Sequence, residues 1–385
     1  MSKPTFKLTF QFQPISHSWV AVHPNAESIV QFIGEAFFGT FFPTLWYRRL
    51  LKTLYFDRGC TIVVIPYTFR LSHWKSALQI LEEQYRIRRI LKTENALVRD
   101  NAIYDDDRNY YWLAHGVGAK YVVLLEAMSV ERNRSLPRQQ LWETIKNDIE
   151  QQVALVYASK PALQHRRLQE ILKPLDRAFN IWYELQTDRT SQSPLIRDRA
   201  SVLLSPNFSS LRSIIPSASW LPGLGKFLAS ILDPIFVKPL QKLCDTIDAA
   251  DRGSTPTQAQ THETIEYSDR VLDLFNLTAV LSFVGDRIAG DTQSAVVPRT
   301  QEKSDLYWFV DRLYPKLNAN LTQPLHHELH GIRTGLDPHF APLGIRQTTS
   351  KVVDRWVVTM LERLETKRSR PSPLPLRSRV PSAMA

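Results

Sequence analysis

At 385 residues, 43% hydrophobic and 22% charged, the chain has the make-up of a globular protein with ample apolar surface for one large core or two ordinary ones. Two cysteines, Cys60 and Cys244, exclude a disulfide framework and a thiolate metal site, and they suit a reducing compartment. The formal charge of +10 rests partly on a tail (Lys367, Arg368, Arg370, Arg377, Arg379), and no zinc-finger or RNP-type motif turns that excess into a nucleic-acid reading.

The N-terminal segment Thr5 to Gln13 alternates like a half-exposed strand and lacks the apolar h-region of a signal peptide. Ser18 to Val22 and Ser28 to Ile33 predict two more short strands, and Gly34 to Phe42 a Gly- and Phe-rich loop. Thr44 to Phe56 has helical spacing and stops at Asp57-Arg58-Gly59. Cys60 to Tyr67 is a continuous apolar run, which suits a strand buried on both faces. A long amphipathic helix over Leu71 to Leu91 follows, then a polar stretch, Lys92 to Arg108, whose Asp105, Asp106 and Asp107 predict a solvated loop.

Residues 109 to 118 carry the most information. The apolar Tyr110 to Leu113 leads into the small-residue turn Ala114-His-Gly-Val-Gly118, and the helix-like Val117 to Met128 follows. This is the layout of a nucleophile elbow, G-x-S-x-G, with glycine at the serine's place, Gly116. The elbow conformation at positive φ is costly for any other residue, so glycine keeps the turn while removing the atom that forms an acyl-enzyme.

Beyond the elbow, Pro137 to Leu185 is helical and charged. Ala200 to Leu204 resumes as a strand, residues 208 to 249 are apolar and proline-punctuated like a cap, and Asp251 to Thr261 is a polar linker. Thr278 to Val284 is a strand, Lys303 to Leu317 a helix, Pro324 to Leu329 a last strand, and Lys351 to Lys367 a terminal amphipathic helix. Alternating βα units predict an α/β chain of α/β-hydrolase-like class, a mainly parallel sheet with an antiparallel N-terminal edge. The expected division is a core half (1–128), a helical insertion (129–199), a core strand (200–207), a cap or lid (208–262), a second core half (263–367) and a disordered basic tail (368–385). No run of about 18 apolar residues predicts a membrane span.

In such folds the triad runs nucleophile, acid, histidine along the chain. Asp286 closes a late strand, with Asp291 a nearby alternative. His339, in Pro338-His-Phe-Ala-Pro342, is the preferred histidine, with His330 the alternative. The loop Gly34-Glu35-Ala36 and the backbone of Val117 are the expected oxyanion donors, and His115, which precedes the turn with its side chain directed elsewhere, is grouped with them as an oxyanion or ligand-binding candidate. His326, His327 and His330 do not form the H-E-x-x-H zinc pattern, so neither a metal nor a cofactor is expected.

These residues resemble the DUF1350 proteins of cyanobacteria and plastids, which look like α/β-hydrolases. Their V-x-F-x-G-G-A-F-x-G-x-x-P-x-x-x-Y stretch falls on Ile29 to Gly39, Pro43 and Tyr47. Their A-x-P-Y falls on Val64 to Tyr67, G-H-S-L-G-A on Ala114 to Ala119, and N-H-L-T-P on Pro338 to Pro342. The resemblance implies a hydrolase frame and, by lineage, a lipid or pigment ester as ligand. With Gly116 in place, the expectation is a catalytically impaired ligand-binding or scaffold protein in the cytoplasm, peripheral to a photosynthetic membrane or lipid body. Its expected partner is a protein or an apolar, lipid-like small molecule. The alternative is a weak or unusual carboxylic-ester hydrolase using Asp286, His339 and the oxyanion loop.

Overall fold

The structure, a computed structural model, describes residues 8–67, 73–93, 102–129, 137–185, 195–196, 199–208, 258–297, 303–319, 321–332, 337–344 and 347–369. The expected strand over Thr5 to Gln13 is not one in its described part. Leu8 to Phe12 is irregular and the first strand, β1, is Gln13–Ile15. It pairs antiparallel with β2 (Ser18–Ala21), which pairs antiparallel with β4 (Cys60–Val64). The remaining strands are β3 (Ser28–Ile33), β5 (Tyr110–His115), β6 (Ala200–Leu204), β7 (Thr278–Phe283) and β8 (His326–Leu329). From β4 onward all neighbours are parallel, in the order β1-β2-β4-β3-β5-β6-β7-β8. This eight-stranded, mostly parallel sheet with an antiparallel edge is an α/β-hydrolase-type fold.

Its centre is where the sequence reads most apolar. All residues of β3, β4, β5, β6 and β7 are buried, because helices cover both faces and the chain there cannot alternate. The helices are α1 (Ala36–Thr40), α2 (Pro43–Trp46), α3 (Arg48–Arg58), α4 (His73–Thr93), α5 (Val117–Ala127), α6 (Arg138–Val156), α7 (Pro161–Leu185), α8 (Gln258–Leu272), α9 (Asp305–Arg312), α10 (Tyr314–Leu317) and α11 (Gln347–Ser369). Buried on every side, α5 carries no polar face. The two insertion helices α6 and α7 pair, and α7 lies along α4, burying Ile171, Leu175, Ala178, Phe179 and Trp182.

Several expectations change. The Gly34 to Phe42 loop contains the short α1, and the helix expected over Thr44 to Phe56 divides at Tyr47 into α2 and α3. The segment before β5 is not wholly solvated. Asp107 is 5% exposed and ion-paired to Arg88 and to Arg199 (3.2 Å), so its charge closes a buried pair of guanidiniums. The expected linker ends inside α8, which starts at Gln258. Cys244, the cap residues 209–257 and the tail from 370 lie outside the described residues, as does most of the linker. Among the described residues no helix is long and apolar enough to cross a membrane.

Candidate functional site

In a parallel sheet the strand C-termini lie on one edge, and the loops after β3, β5, β7 and β8 meet there. The loop after β5 is the elbow. Gly116 has φ 55° and ψ −119°, a backbone state that side-chain-bearing residues rarely adopt. It is locked by Gly116 N–H donating to Leu204 O at 3.0 Å and by Asn207 N–H donating to Gly116 O at 3.2 Å. Two residues on, Gly118 packs under β3. A Cβ there would lie 2.6 Å from Ile33 O, so only glycine lets α5 start against the sheet.

The loop after β7 delivers Asp286 and the 3₁₀ turn after β8 delivers His339. His339 Nδ1 donates to Asp286 Oδ2 at 2.9 Å. Asp286 is further held by the Ser205 hydroxyl at 2.6 Å and by the backbone N–H groups of Ile288 and Ala289. Asp337 caps the 3₁₀ turn by accepting from His339 N–H. The two alternatives lie elsewhere. Asp291 accepts from Gly285 N–H, and the largely exposed His330 sits beside Glu328. His326 bonds Ser282 and His327 stacks on Trp356, so the H-H-E-L-H run is spread along β8 and its packing.

The space that a side chain at Gly116 would take is occupied. A Cβ built on Gly116 would fall 1.1 Å from Glu35 Oε2 and 2.3 Å from Glu35 Cδ. Glu35 follows β3 and Gly34 and turns its carboxylate into the elbow. Oε2 accepts from Val117 N–H at 3.1 Å and from His339 Nε2 at 3.0 Å, and Oε1 accepts from Ala36 N–H at 2.9 Å. The expected oxyanion donor Val117 N–H is therefore not free, and Glu35 enters the site as a side chain rather than as a backbone donor. Glu35 N–H itself donates to Tyr47 Oη at 2.9 Å.

His115 also departs from expectation, because its side chain faces the site. Its Nε2 meets the carbonyl of His339 at 2.8 Å and must donate there, so its Nδ1 accepts from the Tyr47 hydroxyl, also at 2.8 Å. The result is a chain, Glu35 N–H to Tyr47 to His115 to His339 C=O, that ties three loops together. Ligand atoms of Glu35, His115 and His339 lie within 4.8 Å of one another, but both ring nitrogens of His115 are committed to this chain rather than aimed at a common centre.

The electrostatics follow from burial. Glu35, His115 and His339 are 0% exposed and Asp286 is 1% exposed. Burial opposes charge on His339, but the charge and hydrogen bond of Asp286, joined by those of Glu35, outweigh it and hold the imidazole up at about 10. His339 is thus an imidazolium donating from both nitrogens to two carboxylates. Burial, reinforced by the His339 charge, pushes His115 down to about 3 and keeps it neutral. Burial and then the Glu35 charge raise Tyr47 well above the usual phenol range, so it stays a donor.

The sequence reading placed Gly116, Asp286, His339, Val117 and the Gly34 loop on one site, and the structure brings them together. It missed the side chains of Glu35, Tyr47 and Ser205. One signal was legible for Glu35: the pattern that this stretch resembles carries a second glycine where this chain has Glu35. The two positions are complementary in the structure: Gly116 carries no side chain, and the Glu35 carboxylate fills the space beside it.

Residues 11–137 match the family model described as a protein of unknown function (DUF1350). No curated protein matches the chain. Among solved structures the chain is similar to a carboxylesterase from Lactobacillus plantarum (11% identity, TM-score 0.35, 93% of this chain and 98% of that one). It is also similar to an inhibited esterase B from Lactobacillus rhamnosis (10%, 0.42, 91% and 82%). A third is carboxyl esterase 2 from the fungus Tuber melanosporum (12%, 0.38, 94% and 88%).

Proposed function

We propose that this chain is a ligand-binding or scaffold protein on a hydrolase frame, closed to serine-dependent ester hydrolysis. The observation that carries the reading is the Glu35 carboxylate, which stands in the nucleophile slot and takes the Val117 N–H that an ester's developing oxyanion would need. Both of the requirements for acyl transfer, an attacking hydroxyl and a vacant oxyanion hole, fail at the same place. The expected ligand is a small apolar molecule.

The alternative, a weak esterase in which His339 activates water, is less well supported. An imidazolium whose Nε2–H is given to Glu35 has no lone pair with which to take a proton from water. The test is direct. Full-length protein treated with a fluorophosphonate probe should carry no adduct on any serine. Its hydrolysis of short acyl p-nitrophenyl esters should be the same as that of His339→Ala. A fluorophosphonate adduct, or esterase activity that disappears in His339→Ala, would refute the reading.

A further inference from the structure

Ester hydrolysis by a serine has no use for the Glu35 side chain, yet this carboxylate is the group placed where a nucleophile belongs. We propose that Glu35 is a covalent nucleophile toward epoxides, acting with His339 and Asp286. The inference rests on the reading that the site is closed to serine acyl transfer, and it goes beyond binding.

Three features of the geometry point this way. Carboxylates form covalent intermediates when an electrophilic carbon is presented to them. Glu35 stands in the elbow slot, with Oε2 on the Val117 N–H; among the described residues Oε1 is bonded only by Ala36 N–H, which leaves it a lone pair for attack. If Oε1 forms an ester, Oε2 becomes its carbonyl oxygen and is already on the N–H that stabilises an oxyanion. The donor that is useless for an external ester is correctly placed for an ester of Glu35 itself.

The proton inventory selects the class of electrophile. His339 carries a proton between two carboxylates, 3.0 Å from Glu35 Oε2 and 2.9 Å from Asp286 Oδ2. An alkyl halide releases an anion that needs no proton. An ester offers a carbonyl that a carboxylate can attack only to form an anhydride. An epoxide requires one proton at the oxygen that its opening sets free.

The steps balance. Glu35 Oε1 attacks a ring carbon, the C–O bond of the ring breaks, and its electron pair takes the Nε2 proton of His339. This leaves a hydroxyalkyl ester and a neutral imidazole. His339 then removes a proton from water as the water oxygen bonds Glu35 Cδ, and the negative charge develops on Oε2 at Val117 N–H. Collapse expels the alkyl oxygen, which takes that proton from His339. The glutamic acid so formed returns its proton to His339. The sum is epoxide plus water giving a vicinal diol, with Glu35 and His339 restored. Asp286 holds the ring through Nδ1 in both halves. Phe340 packs edge-on against His339, and Phe38 and Trp46 continue from it as an aromatic row leading away from the site.

The experiment uses the full-length protein with 1,2-epoxybutane, styrene oxide and cis-9,10-epoxystearate. At least one should give diol, and Glu35→Gln should lower the rate by at least about 100-fold. A single turnover of excess wild-type protein in ¹⁸O-water should place one ¹⁸O in the Glu35 carboxylate, read on its peptide by mass spectrometry, and leave the diol unlabelled. That arm needs no variant to fold. Diol formation from none of the three epoxides, an unchanged rate in Glu35→Gln, or ¹⁸O in the first diol with none in Glu35 would overturn the proposal. In those cases the absence of fluorophosphonate labelling still stands as a separate result, whereas a fluorophosphonate adduct removes the underlying reading instead.

Discussion

Placing a serine at position 116 alone should fail to give a reactive site, and placing it there together with removal of Glu35 should succeed. In Gly116→Ser the new Cβ would fall 1.1 Å from Glu35 Oε2, so the carboxylate must leave its place. It would lose its bonds from Val117 N–H and His339 Nε2–H. Hydrogen bonds to charged groups contribute about 1.5–3 kcal/mol each, and a side chain at positive φ adds roughly 1 kcal/mol. The single variant should therefore lose about 4 kcal/mol or more, of which the backbone part is the smaller. Glu35→Gly alone leaves both Val117 N–H and His339 Nε2–H buried without their carboxylate and should cost about 3 kcal/mol or more. In the double variant the clash with Glu35 is absent, and the remaining tight approach, the seryl Cβ 3.0 Å from His339 Nε2, needs the ring to give by only a few tenths of an ångström, which keeps the new side chain beside the imidazole. The double variant should thus be more stable than the sum of the singles by about 2 kcal/mol, a coupling well above the roughly 0.5 kcal/mol expected of independent sites. Urea unfolding of the four proteins measures the cycle, and fluorophosphonate labelling measures the chemistry, with an adduct expected only in the double variant. Additive stabilities, or equal labelling of Gly116→Ser and the double variant, would show that Glu35 does not occupy the slot.

Other outcomes follow from the same geometry. His339 has its folded value raised to about 10 from an unfolded value of about 6.5. Its contribution to stability is therefore fully present below about pH 6.5 and is lost as pH rises through about 10. Unfolding free energies at pH 6, 8 and 10, with the His339 ring followed by NMR, should show this, and Glu35→Gln should lower the value; a ring that titrates near 6.5 in the wild type would contradict the ion triad. Tyr47→Phe breaks the link between Glu35 N–H and His115 Nδ1 and should cost about 1–3 kcal/mol in urea unfolding; a neutral effect would mean that the chain of bonds is dispensable. Asp107→Ala leaves Arg88 and Arg199 buried without their carboxylate and should cost about 3–5 kcal/mol, whereas breaking the exposed Arg89–Glu184 pair should cost under about 1 kcal/mol. Equal effects of these two changes would refute the burial argument.

Local pattern carried much of the fold and of the site. Cys60 to Val64 and Tyr110 to His115 are apolar runs because both faces of a central parallel strand are covered, and that continuity is visible without a structure. The small residues Ala114, Gly116 and Gly118 announced the elbow because sharp turns and close approaches exclude side chains. Asp286 and His339 were readable from their positions after late strands. Asp107 was misread because its acidic neighbours suggest solvent, while its partners Arg88 and Arg199 come from distant points in the chain.

What tertiary structure decided was the state of the nucleophile slot. Sequence showed that Gly116 lacks a hydroxyl, and it placed Glu35 in the oxyanion loop as one residue of a backbone turn. Only the fold brings Glu35 against Val117, 82 residues on, and against His339, 304 residues on. Periodicity and turn chemistry report on neighbours within a few residues, so they can locate a strand, a turn or a cap. Which side chain fills the space beside Gly116 depends on how three loops converge at the edge of one sheet, and that is settled only when the strands pair.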